Sequence, residues 1–365
     1  MSNLKNRLMQ YASSKIEKKA KHQNIFWRFF VFVASLFYQM VVTFLFFIKE
    51  KKRKIDSKAF VISVGNIVAG GVGKTPLVQL LISSLKNRKI AIATRGYGRK
   101  SKQPFLEIAP QASFDPYLMG DEPAMLKKRF PFVTFFIGSD RKKACEMATN
   151  QNFDILILDD GLRQREIVKD LEIVVIDAND PFGKGFFLPK GYLKLPLKAL
   201  EKADLFVVSN AENKQLYLKT CELLKKYSSA PFCGVEKVLE EISPLLPGED
   251  FDSSKAYAAF CAIGKPNNFF RFLKKNGYSL KDQITFVDHE FLENEKIEKF
   301  AKRAKQKGAH GLLCTEKDAI KLVDYKKFSL PIFVVKIGLK VVMGQNEWKF
   351  FIEKNLMNDN NKLLS

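Results

Sequence analysis

The sequence predicts an α/β protein: a main domain on a mainly parallel sheet, a second and smaller α/β domain after it, and a hydrophobic helix in front. Three observations predict this. Residues Phe29 to Ile48 run for 20 positions without a charge; after Lys58, short apolar runs alternate with loops and polar-faced helices; and the same alternation restarts near residue 256 after an irregular stretch. The expected division is a basic, membrane-associated segment over 1–54, a main domain over 55–225 and the smaller domain over 226–365.

The N-terminal element comes first. "FFVFVASLFYQMVVTFLFFI" has the length of a bilayer-crossing helix. Residues 1–58 carry 13 lysines and arginines against Glu17, Glu50 and Asp56, and these basic flanks favour membrane contact over a buried core helix. The run is too long for a signal peptide and no small-residue cleavage site follows it. Both flanks are positive, which suits a helix lying in one leaflet, yet only Ser35, Gln39 and Thr43 interrupt the apolar surface, which does not give an in-plane helix its polar face. Spanning and in-plane insertion both stay open on these grounds.

The chain carries a net charge of +22 over 365 residues, which calls for an anionic partner. Nearly half of that charge flanks the apolar helix, where acidic lipid explains it more simply than nucleic acid. Cys145, Cys221, Cys233, Cys261 and Cys314 are scattered and form no CxxC pair, so neither a disulfide framework nor a zinc site is expected. No feature calls for an obligate protein partner.

The main sheet is expected from six runs: 59–65, 90–96, 132–138, 153–161, 171–178 and 204–210. Residues 225–255 read as irregular, and "AYAAFCAIGKPNNFFRFLKKNGY" then reads as strand, loop and helix.

The first strand leads into "GNIVAGGVGKTP", a glycine-rich loop that opens a helix. Backbone amides and a helix N-terminus arranged this way cradle phosphates, so a P-loop NTPase-type domain is expected. Gly70, Gly71, Val72, Gly73, Lys74 and Thr75 would bind the nucleotide, with Lys74 reaching the β/γ-phosphates and the Thr75 hydroxyl binding Mg²⁺. The strict pattern has Gly where this chain has Val68. The partner carboxylates for the metal are expected at a strand end, and "DILILDDG" supplies Asp159 and Asp160 there.

The blocks "SVGNIVAGGVGKTPLV", "TRGYGR", "GDEPAML", "LDDGLRQR", "LPKGYLKLPL", "AIGKPNNFF", "FVDHEF" and "TEKDAIKL" follow one another in this order. In them the chain resembles the tetraacyldisaccharide 4'-kinase family of Gram-negative bacteria, over most of its length. The resemblance implies transfer of the γ-phosphate of ATP to the 4'-hydroxyl of a tetraacyldisaccharide 1-phosphate, on the cytoplasmic face of the bacterial inner membrane, with ATP and Mg²⁺ as cofactors. That family also lacks the first glycine of the loop, so Val68 is no objection. The resemblance makes Asp121 the catalytic carboxylate and His289 its partner. It puts Glu122, Asp159 and Asp160 with Thr75 at the metal, and Arg95 and Arg141 at phosphate or transition-state charge.

The chain departs from the family in two places. It reads "DDGLRQR" where the family usually has DDGFQHR, and Lys194 stands where the family has a functional arginine. Lysine keeps the charge and loses the bidentate grip on phosphate. "TEKDAIKL" is not a guanine-reading motif, because its lysine comes one position late. A membrane-associated P-loop ATPase or GTPase acting in assembly or transport is the alternative, and it lacks a base-reading motif or switch loop here.

Overall fold

The computed structural model describes residues 25–51, 54–85, 87–287, 292–322 and 328–352. In chain order its elements are α1 (Ile25–Lys51), β1 (Phe60–Gly65), α2 (Lys74–Ser84), β2 (Ile90–Thr94), β3 (Phe105–Ile108), α3 (Pro116–Met119), α4 (Asp121–Arg129), β4 (Thr134–Gly138), α5 (Arg141–Asn150) and β5 (Ile155–Asp159). There follow β6 (Leu171–Asp177), β7 (Leu205–Ser209), α6 (Lys214–Lys225), β8 (Phe232–Pro244), β9 (Tyr257–Cys261) and α7 (Pro266–Lys275). The last are β10 (Leu280–Thr285), α8 (Asn294–Gln306), β11 (Leu312–Thr315), α9 (Glu316–Ala319), β12 (Ile332–Met343) and α10 (Gln345–Ile352).

The chain forms two compact units, each assembled from separate stretches. The first comprises residues 1–74, 145–236 and 341–365, and the second 75–144 and 237–340.

In the first unit, β1 lies between β5 and β6, β6 pairs with β7, and β7 with β8, all in parallel. Strands β6 and β7 are buried at every position, and β1 at every position after Phe60, which is why these runs are mostly apolar and do not alternate; their buried polar residues are Ser63, Glu172, Asp177 and Ser209. Register places Val64 opposite Asp159 and Gly65 opposite Val174, so the chain leaving β1 emerges at the carboxyl edge beside the end of β5. That edge is where open parallel sheets hold ligands.

Helix α1 packs on this unit along one stripe. Ser35 and Phe46 are buried, and Tyr38 and Val42 pack on the same core as Phe46 and Phe187. The Ser35 hydroxyl donates to the Phe187 carbonyl at 2.7 Å. On the other side Phe29, Phe30, Val33, Phe37, Met40, Phe44 and Leu45 are exposed.

In the second unit, β4 pairs with β2 in parallel and with β3 antiparallel, while β9 pairs with β10 and β11, and β11 with β12, all in parallel. Helix α7 buries Phe269, Phe270 and Leu273, one turn apart, in the core that also holds Tyr257 and Phe333. Lys127 of α4 is almost fully buried and donates to the carbonyls of Ala109, Pro131 and Val133 at 2.6, 2.9 and 2.9 Å.

Strand β8 differs from the irregular stretch expected there. "FCGVEKVLEEISP" is a 13-residue strand, of which only Cys233, Gly234 and Val235 are buried, and Glu236, Lys237, Glu240 and Glu241 hide its pattern.

Candidate active site

The glycine-rich loop is held from below by its own chain. The Ala69 amide donates to the Tyr192 carbonyl at 2.7 Å, the Lys194 amide to Ile67 at 2.8 Å, and the Ser209 hydroxyl to Val72 at 2.9 Å. Val68 pairs with Leu193 and sits in the hydrophobic core with Ile67 and Phe187. The side chain at 68 therefore anchors the loop, a role glycine could not fill. Gly70 and Gly73 adopt φ of +113° and +99°, which favour glycine, and a Cβ on Gly70 or Gly71 would meet nothing within 4 Å. Above these two residues the loop has open space for a phosphate-bearing ligand.

Lys74 is the first residue of α2 and its Nζ donates to Asn66 Oδ1 at 2.9 Å. Asp160 Oδ1 lies 3.7 Å from Lys74 Nζ and accepts a 2.6 Å hydrogen bond from Lys194 Nζ. Burial would raise the Asp160 pKa, but Lys194 and Lys74, with Arg163 beyond, hold it well below the usual carboxylate range. Burial pushes Lys194 down to about 8, against the opposing pull of Asp160. Asp160 is left-handed at φ +57°, in the turn after β5, while Asp159 ends that strand, half-buried. Lys74, Asp160 and Lys194 thus form one charge cluster at the carboxyl edge of the first unit's sheet.

In the second unit, Asp121 and Glu122 occupy the first turn of α4, where the helix dipole favours negative charge. The Thr75 hydroxyl donates to Glu122 Oε2 at 3.2 Å. Gly120 precedes this turn at φ +90°, and a Cβ there would lie 2.5 Å from the Tyr97 carbonyl and 3.0 Å from Gly96 C. The "TRGYG" and "GDE" turns therefore touch backbone to backbone.

Asp121 is buried, with Lys321 Nζ 3.3 Å away, and Lys321 also lies 3.9 Å from Asp318. Asp318 is fully buried and accepts hydrogen bonds from the Thr315 hydroxyl at 2.6 Å and the Ala262 amide at 3.0 Å. The Thr315 side chain in turn caps α9 by accepting from the Asp318 amide. Among the described residues, Asn66 and Lys321 make contacts to predicted site residues that sequence reasoning missed. Each lies inside a quoted block, but its partner is reached only through the fold.

Arg95 follows β2, exposed, with its guanidinium 3.2 Å from the Tyr97 hydroxyl. Arg141 is buried and donates to the carbonyls of Thr94, at 2.9 Å, and Gly138, tying the ends of β2 and β4 together. His289 lies outside the described residues. Among the described residues no three His, Cys, Asp or Glu converge on a metal cage. The Thr75 hydroxyl and the Glu122 carboxylate, 3.2 Å apart, are hard oxygen donors of the kind that could hold Mg²⁺, which keeps several waters and needs only one or two carboxylates.

A family model described as Tetraacyldisaccharide-1-P 4'-kinase matches residues 27–357. The tetraacyldisaccharide 4'-kinase of Syntrophus aciditrophicus is 33% identical over 330 residues, covering 85% of this chain and 88% of the relative. That of Chlamydia abortus is 36% identical over 284 residues, covering 74% and 76%. The crystal structure of "apo" form LpxK from Aquifex aeolicus in complex with ATP is similar at a TM-score of 0.72 and 26% identity, covering 90% of this chain and 99% of that one. With the strand, loop and helix of the phosphate cradle in place, these likenesses give one conclusion: the chain belongs to the tetraacyldisaccharide-1-P 4'-kinase family.

Proposed function

We propose that the protein transfers the γ-phosphate of ATP to the 4'-hydroxyl of a tetraacyldisaccharide 1-phosphate, giving lipid IVA. The observation that carries this reading is the open cradle over Gly70 and Gly71, with Lys74 already oriented by Asn66 and Asp160. Loop amides and Lys74 bind the nucleotide phosphates, and Lys194 adds positive charge at the same edge. Thr75 and Glu122 would hold Mg²⁺, which would neutralise charge on the transferring group. Asp160 is the weaker ligand of the two adjacent aspartates, because both its cationic neighbours compete with a metal.

Asp121 takes the proton of the attacking hydroxyl, with His289 as the partner that the family resemblance gives it. Lys321, 3.3 Å away, positions the Asp121 carboxylate until the acceptor arrives. Arg95 faces phosphate, while Arg141 acts as a brace for the turn that carries Arg95.

Anchoring is proposed to be in-plane. The stripe from Phe32 to Phe46 runs about 21 Å along α1 at 1.5 Å per residue. It lies against the first unit: Lys190 sits 4.3 Å from the Phe32 ring and Arg165 4.6 Å from the Phe46 ring. A helix docked over that length cannot cross a bilayer without carrying the polar body in with it, so its exposed apolar side enters one leaflet, on the cytoplasmic face of the inner membrane. An acceptor with four acyl chains is then met where it resides.

The test is transfer of labelled γ-phosphate from ATP to purified tetraacyldisaccharide 1-phosphate in detergent micelles, with Asp121→Ala beside the parent. The expected result is transfer by the parent and a loss of 10²-fold or more in the variant, on the order of a general base's contribution. ATP hydrolysis without transfer, unchanged by Asp121→Ala, would overturn the reading in favour of an ATPase.

A further inference from the structure

The first unit carries a second basic site at the other edge of its sheet. A cleft of about 300 Å³ is lined by Lys54, Arg165, Ile167, Lys169, Glu172 and Lys202. Glu172 is the second residue of β6 and Asp177 the last, so the cleft opens at the amino edge, while the phosphate loop lies at the carboxyl edge. It is no part of the nucleotide site.

Four cations and one carboxylate leave the cleft at +3. Glu172 is already committed, accepting from the Ser63 hydroxyl and from Lys169 Nζ. Lys54 Nζ donates to the Arg165 carbonyl at 2.5 Å, and Arg165 itself is buried under the Phe46 ring of α1. Burial pushes the Lys169 pKa down against the pull of Glu172, and the nearby charges of Arg165 and Lys54 add to the fall. Asp204, which accepts from the Glu172 amide and lies near Lys169, is committed too, so the four cations outnumber two spent carboxylates and recognise an anion with several acceptor oxygens.

The position says which anion. Phe44, Leu45 and Ile48, the exposed apolar residues at the C-terminal end of α1, belong to the helical turns around Phe46, the residue that Arg165 covers. A phosphate held in the cleft would therefore sit at headgroup depth beside a helix whose apolar side is in the leaflet. We propose that this cleft binds the headgroup phosphate of an anionic glycerophospholipid, fixing the rotation of the first unit on the membrane. The inference rests on the in-plane reading of α1.

The test is co-sedimentation of the full chain with vesicles that lack the disaccharide substrate, made of phosphatidylcholine alone or with phosphatidylglycerol admixed. Lys54→Gln/Lys202→Gln alters two exposed side chains, and Lys202→Gln alone serves as a milder variant. Each lysine near an anionic surface is worth about a fivefold gain in binding, so the double variant is expected to lose about 25-fold of the parent's preference for phosphatidylglycerol vesicles and the single about fivefold. Binding to neutral vesicles should stay unchanged in both. A control, Lys299→Gln/Lys305→Gln on α8, removes two exposed charges elsewhere and should change the preference less than about twofold.

The proposal is overturned if the cleft variants keep the parent's preference, if the control loses as much, or if millimolar inorganic phosphate abolishes the preference, which would make the cleft a site for free anions. Failure of the parent to bind neutral vesicles would instead overturn the in-plane anchor, and the proposal with it.

Discussion

Lys321→Met removes the cation between two buried carboxylates. Lys321 Nζ is 3.3 Å from Asp121 and 3.9 Å from Asp318, and all three side chains are nearly inaccessible. At an effective dielectric constant of about 20 the two attractions are about 5 and about 4 kcal/mol before the cost of desolvation. Removing the cation takes its attraction away from both buried carboxylates, which costs about 4 kcal/mol net. At about 2.1 cal/mol/K per residue over the whole chain, the melting temperature should fall by about 5 °C. Asp318→Asn in the same chain removes one of the stranded charges and keeps an acceptor for Thr315 and Ala262, so the double variant should regain about half of the loss. Calorimetry of the parent, the single and the double variant measures this directly. A single variant melting within about 1 °C of the parent would refute the claim that Lys321 neutralises this pair.

Two further substitutions probe the frame around the site. Gly120→Ala puts a Cβ against the Tyr97 carbonyl at a φ that strains any side chain, and the backbone shift would move Asp121 and Glu122; kcat should fall on the order of 10²-fold with the fold retained, as read by phosphoryl transfer and circular dichroism. Lys127→Met leaves the carbonyls of Ala109, Pro131 and Val133 without their buried donor; it should cost about 3 kcal/mol and lower the melting temperature by about 4 °C, with little change in KM for ATP.

The six apolar runs between 59 and 210 are legible because parallel strands buried on both faces need no alternation, and their observed ends fall within two residues of the expected ones. Strand β8 was hidden by its charges, and β3 by its four-residue length beside β4. The strand, glycine-rich loop and helix, and the two aspartates at the end of β5, were legible because they are neighbours in sequence. Asn66 and Lys321 were not, since neither spacing nor composition says that Lys74 will meet Asn66, or Asp121 a lysine 200 positions later. Lys194 was visible as a departure from the family, and only the fold pairs it with Asp160.

The missing polar face of α1 has a structural answer of the same kind. An in-plane helix normally turns charged residues to water, but here that side is covered by the protein, where Ser35 finds the Phe187 carbonyl and Arg165 stacks on Phe46. The covered stripe belongs to the same hydrophobic core as Ile67 and Val68, the first residues of the phosphate loop, and as Leu193, which pairs with Val68. Close-packed cores transmit small displacements because they have few voids to absorb them. The glycine-rich loop is thus packed into the same core as α1, so a substitution that loosens Phe46 is expected to act on the loop as well as on the helix.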